Sequence, residues 1–316
     1  MRKAFIYILA IILFVLPACN SAPSTPQSIK FAVLPVLDVL PIYVAESQGY
    51  FKANNLNVEI IPVGSAPERD QLMQAGQIEG MLNETVTTLF YNRAETKIVI
   101  VRFARTATSE YPLFRILAAK GSGISSVSDL KEIPIGISEG TIIEYMTDKV
   151  LIKAGLDQTE IAKIAVPKIA DRIALLNSGE LKAANLPDPV ASLAIQNGAK
   201  LIIDDTTYPD VSNSVYTFSS KAVSDKPEAV RSFLKAVEQA VNDINSDKTK
   251  WGNLLKEENL VPEPLLKTYV LPTFPTASVP TEAQFNDAVS WAVEKGLLEI
   301  EVIYQNSVNA SFLPNK

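Results

Sequence analysis

Four carboxylates stand where they could serve a ligand: Asp38, Glu84, Glu139 and Asp188 each follow a short apolar run and lie within a few residues of a predicted helix start. Small polar residues share the same turns, namely Ser65, Asn83, Thr85, Ser138 and Thr141, with Leu37 and Gly140 among them and Tyr43 in the first predicted helix. Strand ends that run into helix starts are where open α/β sheets bind small molecules. Such acids can instead cap their helices, where free amides and the helix dipole stabilise them by roughly 0.3–1 kcal/mol for the dipole part. Taken together, four acids at one rim suit a solute with amino or hydroxyl donors, such as an aminopyrimidine, a flavin-like heterocycle or a small cation, and they oppose a sulfonate or nitrate. Ser65 and Thr141 point the other way, since a helix start can hold an anion. Tyr43 could stack on a flat ligand or serve as a core or rim residue.

The excluded chemistry is equally informative. The chain has no histidine and a single cysteine, Cys19. That removes Ser/His and Cys/His nucleophiles, histidine general bases, intramolecular disulfides, C-x-x-C redox pairs and the usual zinc and iron ligand sets. No metal and no cofactor is expected. The formal net charge is −6, without a basic cluster, so nucleic acid is not an expected partner.

The elements that must position these residues are visible as an internal repeat. Leu72 to Leu89, LMQAGQIEGMLNETVTTL, returns in paler form as LLNSGELKAANLPDPVASL, Leu175 to Leu193. Each copy reads as a helix end, a turn, a strand and a new helix start, so the chain holds two related α/β halves. Within the first half, Ile29 to Pro35, Asn57 to Pro62, Ile78 to Leu82 and Lys97 to Phe103 read as strands alternating with helices, which implies parallel pairing. The second half continues with Pro112 to Ala118, Lys131 to Ile137, Ile161 to Val166 and Lys200 to Ile203, and Thr141 with Glu144 forms an expected capping box. Ser214 to Phe218 returns as a strand. Pro227 to Ile244 carries a core-facing apolar stripe, Thr281 and Gln284 make a second capping box, and the last hundred residues read as mainly helical.

Arg2 and Lys3, the apolar run Ala4 to Leu16 and then Pro17-Ala18-Cys19 have the layout of an export signal. Leu16-Pro17-Ala18-Cys19 resembles a bacterial lipobox, whose cysteine is lipidated. Residues 1–18 are therefore expected to be a signal peptide, Cys19 a lipid-anchored N-terminus and residues 19–28 a flexible tether to the membrane.

Five landmarks stand out: Pro41-Ile-Tyr-Val-Ala-Glu-Ser-Gln-Gly-Tyr-Phe51, Gly76-Gln-Ile-Glu79, Ile124-Ser-Ser-Val-Ser-Asp-Leu-Lys131, Gly179-Glu-Leu-Lys-Ala183 and Pro187-Asp-Pro189. On these the chain resembles the solute-binding proteins of ABC importers in the nitrate/sulfonate/taurine and thiamine-pyrimidine-precursor group. It implies a type II periplasmic-binding-protein fold: two doubly wound α/β domains joined by two hinge crossovers. Domain I would comprise 29–105 and 214–316, and domain II 106–213. Hinges are expected at Ala104 to Tyr111 and Asp204 to Asn213.

The implied role is an extracytoplasmic, membrane-anchored, monomeric receptor that captures a small solute by Venus-flytrap closure and passes it to an ABC permease with its ATPase. By position, Leu37, Asp38, Ser65, Asn83, Glu84 and Thr85 would form one lip, and Ser138, Glu139, Gly140, Thr141 and Asp188 the other. Tyr43 matches the family's helix-start aromatic. Same-fold enzymes exist, but the pyrimidine-forming synthases use a histidine and a cysteine cluster, which this chain lacks, and the menaquinone-precursor dehydratases are cytosolic. A tethered sensor domain is the third alternative.

Overall fold

A computed structural model of the chain describes residues 26–314. The expected signal peptide, Cys19 and all but the end of the tether lie outside the described residues. The tether's expected limit at Ser28 is corrected, because Gln27 and Ser28 already pair with Leu56 and Asn57 in the first sheet.

In chain order, the first half holds β1 (Gln27–Val33), α1 (Leu40–Ser47), α2 (Tyr50–Ala53), β2 (Leu56–Pro62), α3 (Ala66–Gln74), β3 (Gly80–Asn83), α4 (Thr85–Asn92) and β4 (Ile98–Thr106). The second half holds β5 (Phe114–Ala118), β6 (Ile135–Ile137), α5 (Ile142–Lys153), β7 (Lys163–Ala165), α6 (Ile169–Ser178), β8 (Ala183–Pro187), α7 (Val190–Gln196) and β9 (Lys200–Asp204). The chain then returns as β10 (Asn213–Ser219) and continues through α8 (Ser220–Asp225), α9 (Pro227–Ser246), α10 (Gly252–Glu257), α11 (Glu282–Glu294) and α12 (Tyr304–Ser307).

Two five-stranded sheets result, with orders β2-β1-β3-β10-β4 and β7-β6-β8-β5-β9. Position for position the two orders are the same. The repeat read from the sequence is therefore a repeat of structure, with α3-β3-α4 matching α6-β8-α7. All-parallel pairing does not hold: β10 runs antiparallel to β3 and β4, and β5 antiparallel to β8 and β9. The cause is the crossing between sheets. β4 ends where the chain leaves for the second sheet and β10 begins where it comes back, so Thr106 faces Asn213 and the strands must run in opposite senses.

Apolar faces explain the layering. Phe31 on β1 stacks on Phe233 of α9 at 4.7 Å between centroids, and Phe51 of α2 joins the same cluster. Gly80 is required there, since a Cβ would lie 2.7 Å from Phe31 and 2.8 Å from Phe218. The capping box at Thr281 forms, with Gln284 N donating to Thr281 Oγ1 at 3.2 Å and Thr281 N donating to Gln284 Oε1 at 3.0 Å. The one expected at Thr141 does not. Thr141 Oγ1 accepts from Ile143 N, while Glu144 reaches past it to Gly140 N at 2.9 Å and to Lys163 Nζ at 2.8 Å. The tail is less helical than its composition suggests, because Pro272, Pro275 and Pro280 hold the stretch ahead of α11 in irregular structure.

Candidate functional site

A cavity of about 70 Å³ lies where the helix starts of the two sheets meet. The first sheet's side contributes Asp38, Ser65, Arg69, Asn83, Glu84 and Ser214, and the second's Phe114, Ser138, Thr141, Ile142 and Arg172. Thr87 Oγ1 lies 3.4 Å from the Gly140 carbonyl across the junction, so the lips touch.

Of the residues expected at the lips, Asp38, Ser65, Asn83, Glu84, Ser138 and Thr141 border the cavity. Leu37 does not, because its side chain is wholly buried in the core beneath α1. Tyr43 packs against that core too, and burial pushes its phenol up to about 12. Thr85 is turned away to donate to Asn213 Oδ1 at 2.9 Å. Glu139 is exposed. Gly140, at φ +67°, supplies backbone at the junction rather than to the cavity. Asp188 faces a separate depression beside the crossovers, where Arg115 Nη1 donates to it at 2.6 Å and the Tyr269 hydroxyl also donates.

The acids that do border the cavity are engaged. Asp38 Oδ1 lies 3.5 Å from Arg105 Nη1. Glu84 caps α4, accepting from Thr87 N at 3.0 Å and from the Thr87 hydroxyl. Burial pushes the Glu84 carboxyl up, against the lowering influence of Arg69 and Thr87. Glu84 is thus committed to its helix cap, while Asp38 holds a single 3.5 Å contact and keeps acceptor capacity on its second oxygen.

Arginine is what the sequence reading passed over. Arg69 and Arg172 are each the fourth residue of their helices, α3 and α6, and each stands three residues before the leucine that opens its copy of the repeat, Leu72 or Leu175. Carrying the repeat three residues further upstream would have paired them. Both are almost fully buried, at 1% and 0% exposure. Arg69 donates from Nε to Asp70 Oδ1 at 2.9 Å and from Nη1 to the Leu82 carbonyl at 3.2 Å, and its Nη2 lies 2.8 Å from the same Asp70 oxygen without hydrogen-bond alignment.

Arg172 has less. Its Nη1 donates to the Val166 carbonyl at 2.7 Å, while Nε and Nη2 have no partner among the described residues. Burial alone pushes its guanidinium down to about 10. The hydroxyls of Ser138 and Ser214 are likewise buried without partners. Asn83 Oδ1, an acceptor on the same cavity, is also unused, and since buried polar groups are ordinarily satisfied, this concentration of unused donors and acceptors marks a place for a polar ligand.

Residues 37–247 match the sequence model of the NMT1/THI5-like family. A Haemophilus influenzae protein named for thiamine biosynthesis is 24% identical over 214 residues, 66% of each chain. A Candida albicans protein named 4-amino-5-hydroxymethyl-2-methylpyrimidine phosphate synthase is 27% identical over 222 residues, 64% of this chain and 62% of that one. The matched stretch thus spans a little under two thirds of either relative's length. Among solved structures, the Escherichia coli periplasmic aliphatic sulphonate-binding protein SsuA superposes with a TM-score of 0.74 at 20% identity, over 92% of this chain and 95% of that one. The periplasmic nitrate-binding protein NrtA of Synechocystis gives 0.69 at 12% identity, over 90% and 87%. At such identities the likeness is one of fold, and the fold is that of periplasmic binding proteins.

Proposed function

The chain belongs to the NMT1/THI5-like family, and on that premise we propose that it is the extracytoplasmic solute-binding component of an ABC importer. The solute enters between the two sheets and the lips close over it. On this reading domain I comprises 29–105 and 214–316, domain II comprises 106–213, and the crossovers at 104–111 and 204–213, the second of which carries two short 3-10 turns, are the hinges. Cys19 carries the lipid anchor, the receptor is a monomer, and its partners are a permease and ATPase that receive the solute. Among the described residues no helix is long and apolar enough to cross a membrane.

The observation that carries the reading is the cavity itself, set between two similar sheets and lined by buried polar groups without partners. Binding rather than catalysis is favoured because the chain has no histidine and one cysteine, far from the cavity in sequence. One of the relatives is named as a synthase, so the test must separate the two roles. Thermal denaturation with aminopyrimidines, flavins, amines, alkanesulfonates, taurine and nitrate should find one class that stabilises the protein. At about a hundred times its dissociation constant such a solute adds about 2.7 kcal/mol, or several degrees for a chain of this size. The solute should be recovered chemically unchanged. Recovery of an altered compound would replace the reading with an enzymatic one, and no response to any class would remove it.

A further inference from the structure

We propose that the contact across the lips, from the Thr87 hydroxyl to the Gly140 carbonyl, is a proton-gated latch. Glu84 in its acid form releases the Thr87 hydrogen to Gly140, and ionised Glu84 takes it back. This deepens the solute-capture reading, as regulation of the same cleft, and rests on it. The Thr87 hydroxyl stands between two acceptors: Glu84 Oε1, within hydrogen-bond reach, and the Gly140 carbonyl at 3.4 Å. A threonine hydroxyl has one hydrogen to give. When Glu84 is ionised both its oxygens only accept, so that hydrogen goes to Oε1, and the Thr87 and Gly140 oxygens face each other with nothing between them. When Glu84 carries a proton on Oε1, it donates that proton to Thr87 Oγ1, and the threonine hydrogen is free for the Gly140 carbonyl. Oε2 accepts from Thr87 N at 3.0 Å in either state, so the cap of α4 survives the exchange.

The two sides of the latch belong to different halves of the molecule. Glu84 and Thr87 open α4 on the first sheet, whereas Gly140 leads into α5 on the second and donates its N–H to Glu144 at 2.9 Å. The charges around Glu84 are few. Burial, the largest influence, raises its carboxyl; Arg69 and the bonds from Thr87 lower it, and Asp70 raises it. Asp38 and Arg172 share the cavity wall with it. Of the elements packed on α4, β4 brings Arg102 and Arg105, which are turned to Glu238 and Asp38, and α5 brings Glu144 and Asp148, both bonded to Lys163. α11 meets α4 in an apolar cluster that includes Phe285 and Val289, and neither α12 nor β10 carries a charged residue.

The direction of the effect follows. Glu84 borders the cavity, so parting the lips admits water to it and lets the carboxyl fall back toward its ordinary 4.5. Joining the lips buries it again and offers its acid form a new hydrogen bond through Thr87. Closure therefore takes up a proton. Its contribution is fully present below the open-state value and is lost as pH rises through the higher closed-state value. An extracytoplasmic receptor meets the pH of its surroundings, and this one is set to hold its lips together more firmly in acid.

The test is solution scattering of the ligand-free protein from pH 8 down to pH 5, in wild type, Glu84→Gln, Thr87→Val and Thr87→Ser. The wild-type radius of gyration should fall as pH is lowered, over roughly two pH units, the width of a one-proton titration. Glu84→Gln puts an N–H donor where the acid proton would be, so that variant should stay compact at every pH. Thr87→Val removes the hydroxyl and should stay expanded at every pH, while Thr87→Ser keeps it and should follow wild type. A pH response that persists in Glu84→Gln would place the titrating group elsewhere, such as Asp205 at the crossovers, and one that persists in Thr87→Val would remove the hydroxyl from the switch. Either result overturns the latch, as does a wild-type radius that ignores pH. Solute capture is judged separately, by titrating wild type at pH 5 with nitrate, taurine and 4-amino-2-methylpyrimidine. Binding of any one leaves that reading standing whatever becomes of the latch; silence from all three removes it, and the latch with it.

Discussion

Asp188 shows how far a single residue can be read from sequence alone. Its place after a strand and before a helix is plain in Pro187-Asp188-Pro189, but its partners are not, since Arg115 is 73 residues away and Tyr269 is 81. Those partners come together only when β5 lies beside β8 and the irregular stretch after α10 folds over both. With Arg115 and Tyr269 donating to it, Asp188 is expected to hold structure rather than solute. Asp188→Asn should therefore reduce stability to urea by about 2 kcal/mol, the scale of a lost charged hydrogen bond, and leave affinity for the solute within about threefold. A collapse of affinity at unchanged stability would return Asp188 to the binding site. Arginines 69 and 172 were missed for the opposite reason. Both are long, charged and on predicted helices, where such residues are usually solvent-facing, and only their shared register in the repeat distinguished them.

Elements were legible where periodicity and punctuation agree. The strands and helices of the repeat were recovered within a few residues, because one face of each is apolar and small polar residues or glycine mark the ends. Strand direction was not, because it depends on where the chain crosses between sheets. Those crossings also carry a titratable tie. Asp205, in the second crossover, accepts from Leu113 N at 3.1 Å and Phe114 N at 3.0 Å at the start of β5. Burial pushes its carboxyl up to about 7, against the lowering pull of those amides. The folded protein then binds a proton that the unfolded chain releases at 3.8. Stability from this group is present below the unfolded value and is lost as pH rises toward 7. In Asp205→Asn that loss should vanish, so the variant should gain on wild type in urea melts taken at pH 8 relative to pH 5. Parallel pH profiles for the two proteins would show instead that the amides keep Asp205 ionised throughout.

At the scale of the molecule, two similar halves and an interdomain cleft could be read from the sequence, but not the reach of the C-terminal region across both. α11 packs on α4, and Trp291 sets its ring edge-on to Tyr145 of α5 at 5.3 Å. Trp291 Nε1 donates to the buried Asp148 of α5 at 3.0 Å, and Lys295 Nζ, just beyond α11, donates to the same carboxylate at 2.6 Å. A helix expected to belong to domain I is thereby fastened to domain II, away from the cavity lining. Under the proposed hinge closure these contacts form together with those of the lips, so they should favour the closed state without touching the solute. A ligand that binds only the closed form loses apparent affinity in proportion to the closed fraction. Lys295→Met, which leaves Asp148 its bonds from Lys163 and Trp291, should weaken solute binding about fivefold, the worth of about 1 kcal/mol. It should also raise the radius of gyration of the ligand-free protein in solution scattering, and saturating solute should restore the wild-type value. Reduced stability with unchanged affinity and scattering would mean instead that α11 travels with domain II, and that the hinge lies between α11 and α4.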